Sequence, residues 1–105
     1  MKEITPAELK ERLDRHDDIQ LIDVREAYER EAGNIGGDHI PMQSILASLD
    51  MVAKDKDVVV YCRSGARSAS VTQALEHRLQ HPSIYNLRGG LMAYAREVDP
   101  SIQVA

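Results

Sequence analysis

Val58-Val59-Val60-Tyr61-Cys62-Arg63-Ser64-Gly65-Ala66-Arg67-Ser68 is the stretch on which the reading of this chain turns. Its first four residues are β-branched or aromatic, and the charged turn Lys54-Asp55-Lys56-Asp57 and Gly65 bound them, which predicts a strand. The run does not alternate apolar with polar residues, so both faces of the strand are expected to be covered, as in a parallel sheet. From about Ala66 to Leu79 the residues Val71, Ala74, Leu75 and Leu79 predict a helix with one inward face, and Pro82 stops it. The residues from Cys62 to Gly65 then link the carboxyl end of a buried strand to the start of a helix. In open α/β sheets that is where ligands bind.

Outward from this unit the same alternation continues. Thr5-Pro6-Ala7-Glu8 is a capping box with Pro at the first helical position, so a helix is expected from Pro6 to about Arg15, with Leu9 and Leu13 inward. Ile19 to Val24 reads as a second buried strand. Arg25 to Asp38 turns polar, with Gly33, Gly36 and Gly37, and reads as loop with room for one helical turn. Ile40-Pro41 reads as a short edge strand, because proline cannot donate to a ladder, and Ile45, Leu46 and Leu49 fit one helical face. Ser83 to Leu87 reads as a last strand, and a short helix is expected from Leu91 to about Val98 after Gly89-Gly90. Such alternation over short connections predicts an α/β fold around a mostly parallel sheet. With 105 residues and no repeat, linker or low-complexity tract, residues 1–105 read as a single domain.

Composition removes several functional classes. Thirteen Lys and Arg against 17 Asp and Glu give a formal charge of −4, and four Tyr stand without Trp or Phe. This lacks the basic footprint and the stacking platform of a nucleic-acid binder, so no nucleic-acid partner is expected. The longest apolar runs fall far short of the roughly 20 residues that span a bilayer, so no membrane partner is expected either. Met1 leads into Lys2-Glu3-Ile4-Thr5-Pro6, which lacks the apolar segment of a secretory signal, and the cytoplasm is the expected location. A single cysteine excludes an internal disulfide and a cysteine-rich zinc site. Cys62 is therefore either a buried apolar filler or a reactive thiol.

Its setting favours the thiol. Backbone amides of the loop and the positive end of the following helix converge on one spot and favour an anion there, here the thiolate. Free thiols ionise near about pH 8.5, and settings of this kind lower that value. Arg63 and Arg67 add two permanent charges able to hold an anionic substrate by charge-assisted hydrogen bonds. Gly65 lets the loop close tightly.

Cys62-Arg63-Ser64-Gly65-Ala66-Arg67-Ser68 resembles the active-site loop of single-domain rhodaneses, the thiosulfate sulfurtransferases. Leu21-Ile22-Asp23-Val24-Arg25-Glu26, Gly33-Asn34-Ile35-Gly36-Gly37 with His39-Ile40-Pro41, and Asn86-Leu87-Arg88-Gly89-Gly90 are similar to further signatures of that family, in their usual order. The resemblance implies a five-stranded parallel sheet flanked by helices on both faces. It implies a ping-pong reaction in which Cys62 takes the outer sulfur of thiosulfate, or of a related persulfide donor, and passes it from a persulfide to a thiol or cyanide. A sulfur-acceptor protein in cofactor biosynthesis is the alternative destination. Cys62 carries over as the catalytic nucleophile, and Arg63, Ser64, Gly65, Ala66, Arg67 and Ser68 as the substrate-binding cradle. No cofactor and no metal are implied. Departures lie outside the cradle: Asn34 stands where many relatives have His, Gly36 where many have Pro, Arg30 replaces a common aromatic and Tyr94 a common Trp, and the loop before His39 is one residue short.

Other polar residues read as structural. Asp23 and Arg25 are expected to be a hydrogen-bonded pair that fixes a loop. His77 and His81, four apart, have no third ligand nearby and read as a solvated helix face. His39 reads as packing, since a preformed thiolate needs no base. Glu26, Glu29, Arg30 and Glu31 read as a solvated charge run. A cysteine phosphatase is disfavoured, because such loops place five residues between Cys and Arg whereas Cys62 and Arg67 have four. A silent binding module is disfavoured by the presence of Cys62.

Overall fold

The computed structural model describes residues 1–105 and places Asp57–Tyr61, β4, at the centre of a five-stranded sheet. In chain order the other elements are β1 (Lys2–Ile4), α1 (Pro6–Asp14), β2 (Ile19–Asp23), α2 (Ala27–Ala32), β3 (Asp38–His39), 3-10 helices at Met42–Ala47 and Leu49–Met51, α3 (Ala66–Leu79), β5 (Ile84–Leu87) and α4 (Gly90–Glu97). The strand order is β1-β5-β4-β2-β3 and every pairing is parallel.

Side chains alternate across a strand, and here each side meets a helical layer. Val58 and Val60, with Cys62 beyond them, pack on Ile22, Ile45, Val71 and Leu75 under α3 and the first 3-10 helix. Val59 and Tyr61 pack on Leu9, Leu91 and Tyr94 under α1 and α4. Covered on both faces, β4 from Val58 onward has no place for a charged residue, which is why Val58-Val59-Val60-Tyr61 runs without one after Asp57 at the strand's open end. Tyr94 is buried in this second layer. No helix is long and apolar enough to cross a membrane.

Several details differ from the sequence reading. β1 escaped it, because Lys2–Ile4 is an edge strand of three residues with only Ile4 buried, and pairing with Tyr85, Asn86 and Leu87 alone makes it a strand. The opposite edge strand is Asp38–His39 rather than Ile40-Pro41. The Ile40 amide still donates to the Asp23 carbonyl and the Met42 amide to the Val24 carbonyl, both at 3.0 Å, so Pro41 falls at the alternate position whose missing N–H would face away from β2. The segment after it is 3-10 rather than α-helical, so Ile45 is buried while Leu46 is exposed instead of sharing its face. The polar loop holds the six-residue α2. His81 lies beyond the end of α3 and is buried, its Nδ1 accepting from the Ser83 amide at 3.0 Å, so it is no part of a solvated helix face.

Candidate active site

Cys62 follows the last residue of β4 and is fully buried. Its Sγ accepts from the Gly65 amide at 3.1 Å and the Ser68 amide at 3.4 Å, and the Ser68 hydroxyl oxygen lies 3.3 Å from it. Gly65, with φ 99°, makes the left-handed turn that swings the chain back over the sulfur into α3. The opposite side of the loop is held by α4, whose Leu91 and Met92 amides donate to the Cys62 and Arg63 carbonyls at 2.8 and 3.0 Å. With those carbonyls engaged outward, the Gly65 and Ser68 N–H groups are left to face the sulfur. Gly90 makes this approach possible, since a Cβ there would collide with the Arg63 and Cys62 carbonyls.

The structure therefore brings Cys62, Gly65 and Ser68 together. Arg63, Ser64 and Ala66 lie exposed on the rim, and Arg67 is half-buried at the first turn of α3. Arg63 turns outward, donating from Nε to the Ala105 carbonyl at 2.7 Å. Arg67 makes a two-pronged pair with Glu29, both N–H···O distances being 2.8 Å.

Glu29 is the residue the sequence reading missed. Placed in a solvated charge run, it is instead 4% exposed. Arg67 holds its carboxyl at about 2, well below the usual range, with the Glu26 amide adding a further hydrogen bond. The reciprocal hydrogen bonds raise Arg67 above the ordinary arginine value. Nothing local in Ala27-Tyr28-Glu29-Arg30 marks this; the only signal was Glu29 falling three residues after Glu26, a spacing for helix capping.

Beneath α2 lies the Asp23–Arg25 pair, both residues fully buried, and its geometry is that of a structural clamp. Asp23 accepts from the Arg25 amide, Nε and Nη2 at 3.0, 2.9 and 2.8 Å. Arg25 also donates to the Glu29 and Gly33 carbonyls, so it braces α2 at Glu29 itself and at its C-cap. Burial pushes the Asp23 carboxyl up, but hydrogen bonds from Arg25 and the charges of Arg25 and Arg30 outweigh it and leave it below its ordinary value. His39 Nε2 lies 2.7 Å from the Arg25 carbonyl, a bracing contact in keeping with a packing role. The Tyr61 hydroxyl donates to the Gly36 carbonyl at 3.0 Å, and burial pushes it up to about 12, so it carries no exchangeable charge near neutrality.

This arrangement can hold a sulfur anion at the end of a strand, with a guanidinium fixed beside it. Comparison with known proteins agrees with that. Residues 5–97 match the model of the rhodanese-like domain. A putative sulfurtransferase, YtwF, of Bacillus subtilis is 40% identical over 101 residues, covering 95% of this chain and 96% of that protein. A sulfurtransferase of Allochromatium vinosum is 38% identical over 105 residues, 97% of this chain and 95% of that one. The crystal structure of a rhodanese-like domain protein from Staphylococcus aureus superposes with a TM-score of 0.82 at 31% identity, covering 100% of this chain and 99% of that one. Cradle, sheet order and relatives thus agree: the chain belongs to the rhodanese-like family, and sulfur transfer is its activity at the level of that family.

Proposed function

We propose that the chain transfers a sulfane sulfur from thiosulfate, or from a related persulfide donor, through a persulfide on Cys62. The observation that carries this is the convergence of the Gly65 and Ser68 amides on the one thiol of the chain, with the Ser68 hydroxyl oxygen 3.3 Å away. The Cys62 thiolate attacks the outer sulfur of thiosulfate. The sulfur–sulfur bond of the donor breaks, sulfite leaves with the bonding pair, and the outer sulfur stays on Cys62 as a persulfide. A thiol or cyanide then attacks that outer sulfur and returns the thiolate. Ser64, Gly65, Ala66 and Ser68 line the loop around the transferred atom. Further out on the rim, Arg63 and Arg67 hold the sulfonate once Arg63 leaves the Ala105 carbonyl and Arg67 shares its donors with Glu29.

A second reading, delivery of the sulfur to a partner protein, has its own support. Tyr28, Met42, Leu46 and Met92 are exposed, and Met42, Leu46 and Val24 line a shallow groove that Arg67 and Glu26 also border. A small inorganic donor needs no such apolar surface.

The test is intact mass after incubation with thiosulfate. The native chain gains the mass of one sulfur, which cyanide or dithiothreitol removes, and Cys62→Ser gains none. An equal adduct on Cys62→Ser would end the persulfide reading.

A further inference from the structure

Ser68 presents one hydroxyl proton to two acceptors. Its Oγ lies 3.3 Å from Cys62 Sγ and 2.5 Å from Asn86 Oδ1, and all three groups are buried. The orientation of the Asn86 amide is fixed, because its Nδ2 donates to the Gly65 carbonyl at 3.3 Å. The reverse orientation would set Oδ1 against that carbonyl. Oδ1 therefore faces Ser68 as an acceptor, and the shorter contact takes the proton. The lone pairs of Ser68 Oγ are then free for the S–H of a neutral Cys62, giving a chain that runs Cys62 S–H to Ser68 O–H to Asn86 Oδ1.

That chain suits neutral sulfur and not a charged one, since a thiolate would meet the lone pairs of Ser68. We propose that Asn86 is a positioning residue that holds the Ser68 hydroxyl proton away from Cys62 while the sulfur is neutral and yields it to the sulfur when negative charge develops there. On ionisation the Cys62 proton passes to solvent base. Ser68 keeps its own proton and turns it from Oδ1 to Sγ. In the second half of the reaction, the acceptor nucleophile attacks the outer sulfur, the persulfide bond breaks with its electron pair moving to Sγ, and the same turn supplies a hydrogen bond to the departing thiolate. The inference rests on Cys62 as the reactive thiol of the proposed function.

The charged and titratable groups around the sulfur are otherwise committed. Arg67 of α3 is paired with Glu29 of α2, and Arg63 of the loop with the Ala105 carbonyl. Asp23 and Arg25 at the end of β2 pair with each other, and His39 of β3 meets the Arg25 carbonyl. Tyr61 lies on the opposite face of the sheet, and α4 meets the loop through its backbone. From β5 the facing group is the neutral Asn86. Its loss leaves no buried carbonyl orphaned, because the Gly65 carbonyl also accepts from the Ala69 amide at 3.0 Å.

The experiment is a pH titration of the ultraviolet thiolate absorbance, with Cys62→Ser subtracted as the tyrosine background; a single cysteine makes the signal unambiguous. In Asn86→Leu the Ser68 proton has only the sulfur to go to, and the midpoint moves to lower pH by about half to one unit. Ser68→Ala moves it to higher pH, and Asn86→Leu added to Ser68→Ala moves it little further, since Asn86 acts only through that hydroxyl. If Asn86 merely braced the loop, its loss would slacken the amides and raise the midpoint whether or not Ser68 were present. An unchanged or raised midpoint in Asn86→Leu overturns the proposal, and Asn86→Ala serves if the leucine variant does not fold. In the otherwise unsubstituted chain below the midpoint, the infrared S–H stretch lies at lower frequency than in Ser68→Ala; equal frequencies would also overturn it. Neither readout involves sulfur transfer, so failure of thiosulfate to load Cys62 would count against the proposed function and the persulfide step drawn from it, and leave the turn of the Ser68 hydroxyl between Asn86 and the thiol standing.

Discussion

Glu29→Gln removes the charge of the carboxylate that holds Arg67 while keeping nearly its shape. Folding costs Glu29 little as an anion: its carboxyl sits at about 2 against an ordinary 4.5, chiefly through the Arg67 hydrogen bonds. A lowered carboxyl contributes stability that is complete above the unfolded value, near 4.5, and is lost as pH falls towards 2. At about 1.4 kcal/mol per unit the contribution near neutrality is on the order of 3 kcal/mol, and somewhat less because Arg67 is 36% exposed and partly screened. Against a total of roughly 5 to 15 kcal/mol for a chain of this size, that is a large share. Urea unfolding of both chains at a series of pH values reads it directly. The difference between them is expected to be about 2 to 3 kcal/mol at pH 7 and to shrink steadily below about pH 4.5, the native chain falling towards the variant. Subtraction of the two curves removes the contributions of Asp17, Asp23 and Glu8, which are lowered in both. A difference that stays constant down to pH 3 would refute the argument, since it would mean that Glu29 stabilises by packing and not as an anion.

The remaining predictions concern the cradle and its supports. Arg63→Ala and Arg67→Ala are each expected to lower kcat/KM for thiosulfate by about 10- to 150-fold through lost charge-assisted hydrogen bonds, with a far smaller effect on alkylation by uncharged iodoacetamide; unchanged thiosulfate kinetics in both would remove the donor-binding role. Gly90→Ala is expected to destabilise the fold by about 2 kcal/mol or more and to abolish sulfur loading, because the methyl group collides with the Arg63 and Cys62 carbonyls at a residue whose φ is 63°; thermal unfolding and intact mass check both. Asp23→Ala leaves Arg25 charged and without its carboxylate in a fully buried site, and should cost about 3 to 5 kcal/mol in urea unfolding.

The sequence by itself determined the elements whose signals are local. Val58 to Tyr61 had to be a two-sided strand because no polar residue interrupts it, and Thr5-Pro6-Ala7-Glu8 had to open a helix because cap, proline and glutamate act within one turn. Ala66–Leu79 emerged with the expected bounds for the same reason. Cys62 was legible as the centre of a site because strand, loop and helix that frame it are contiguous. Only the tertiary structure decided what each side chain meets. Lys2–Ile4 became a strand through partners at the far end of the chain, on β5. Glu29, read as solvated, is buried against an arginine 38 residues later. Asn86, legible only as part of a strand and turn, faces a hydroxyl 18 residues before it. The physical reason is one of range: periodicity, capping and turn chemistry are interactions among neighbours in the chain and are written in its order. The partner of a buried charge or hydroxyl is chosen by the packing of helices on a sheet, where burial makes an unpaired polar group costly and geometry leaves each one few alternatives.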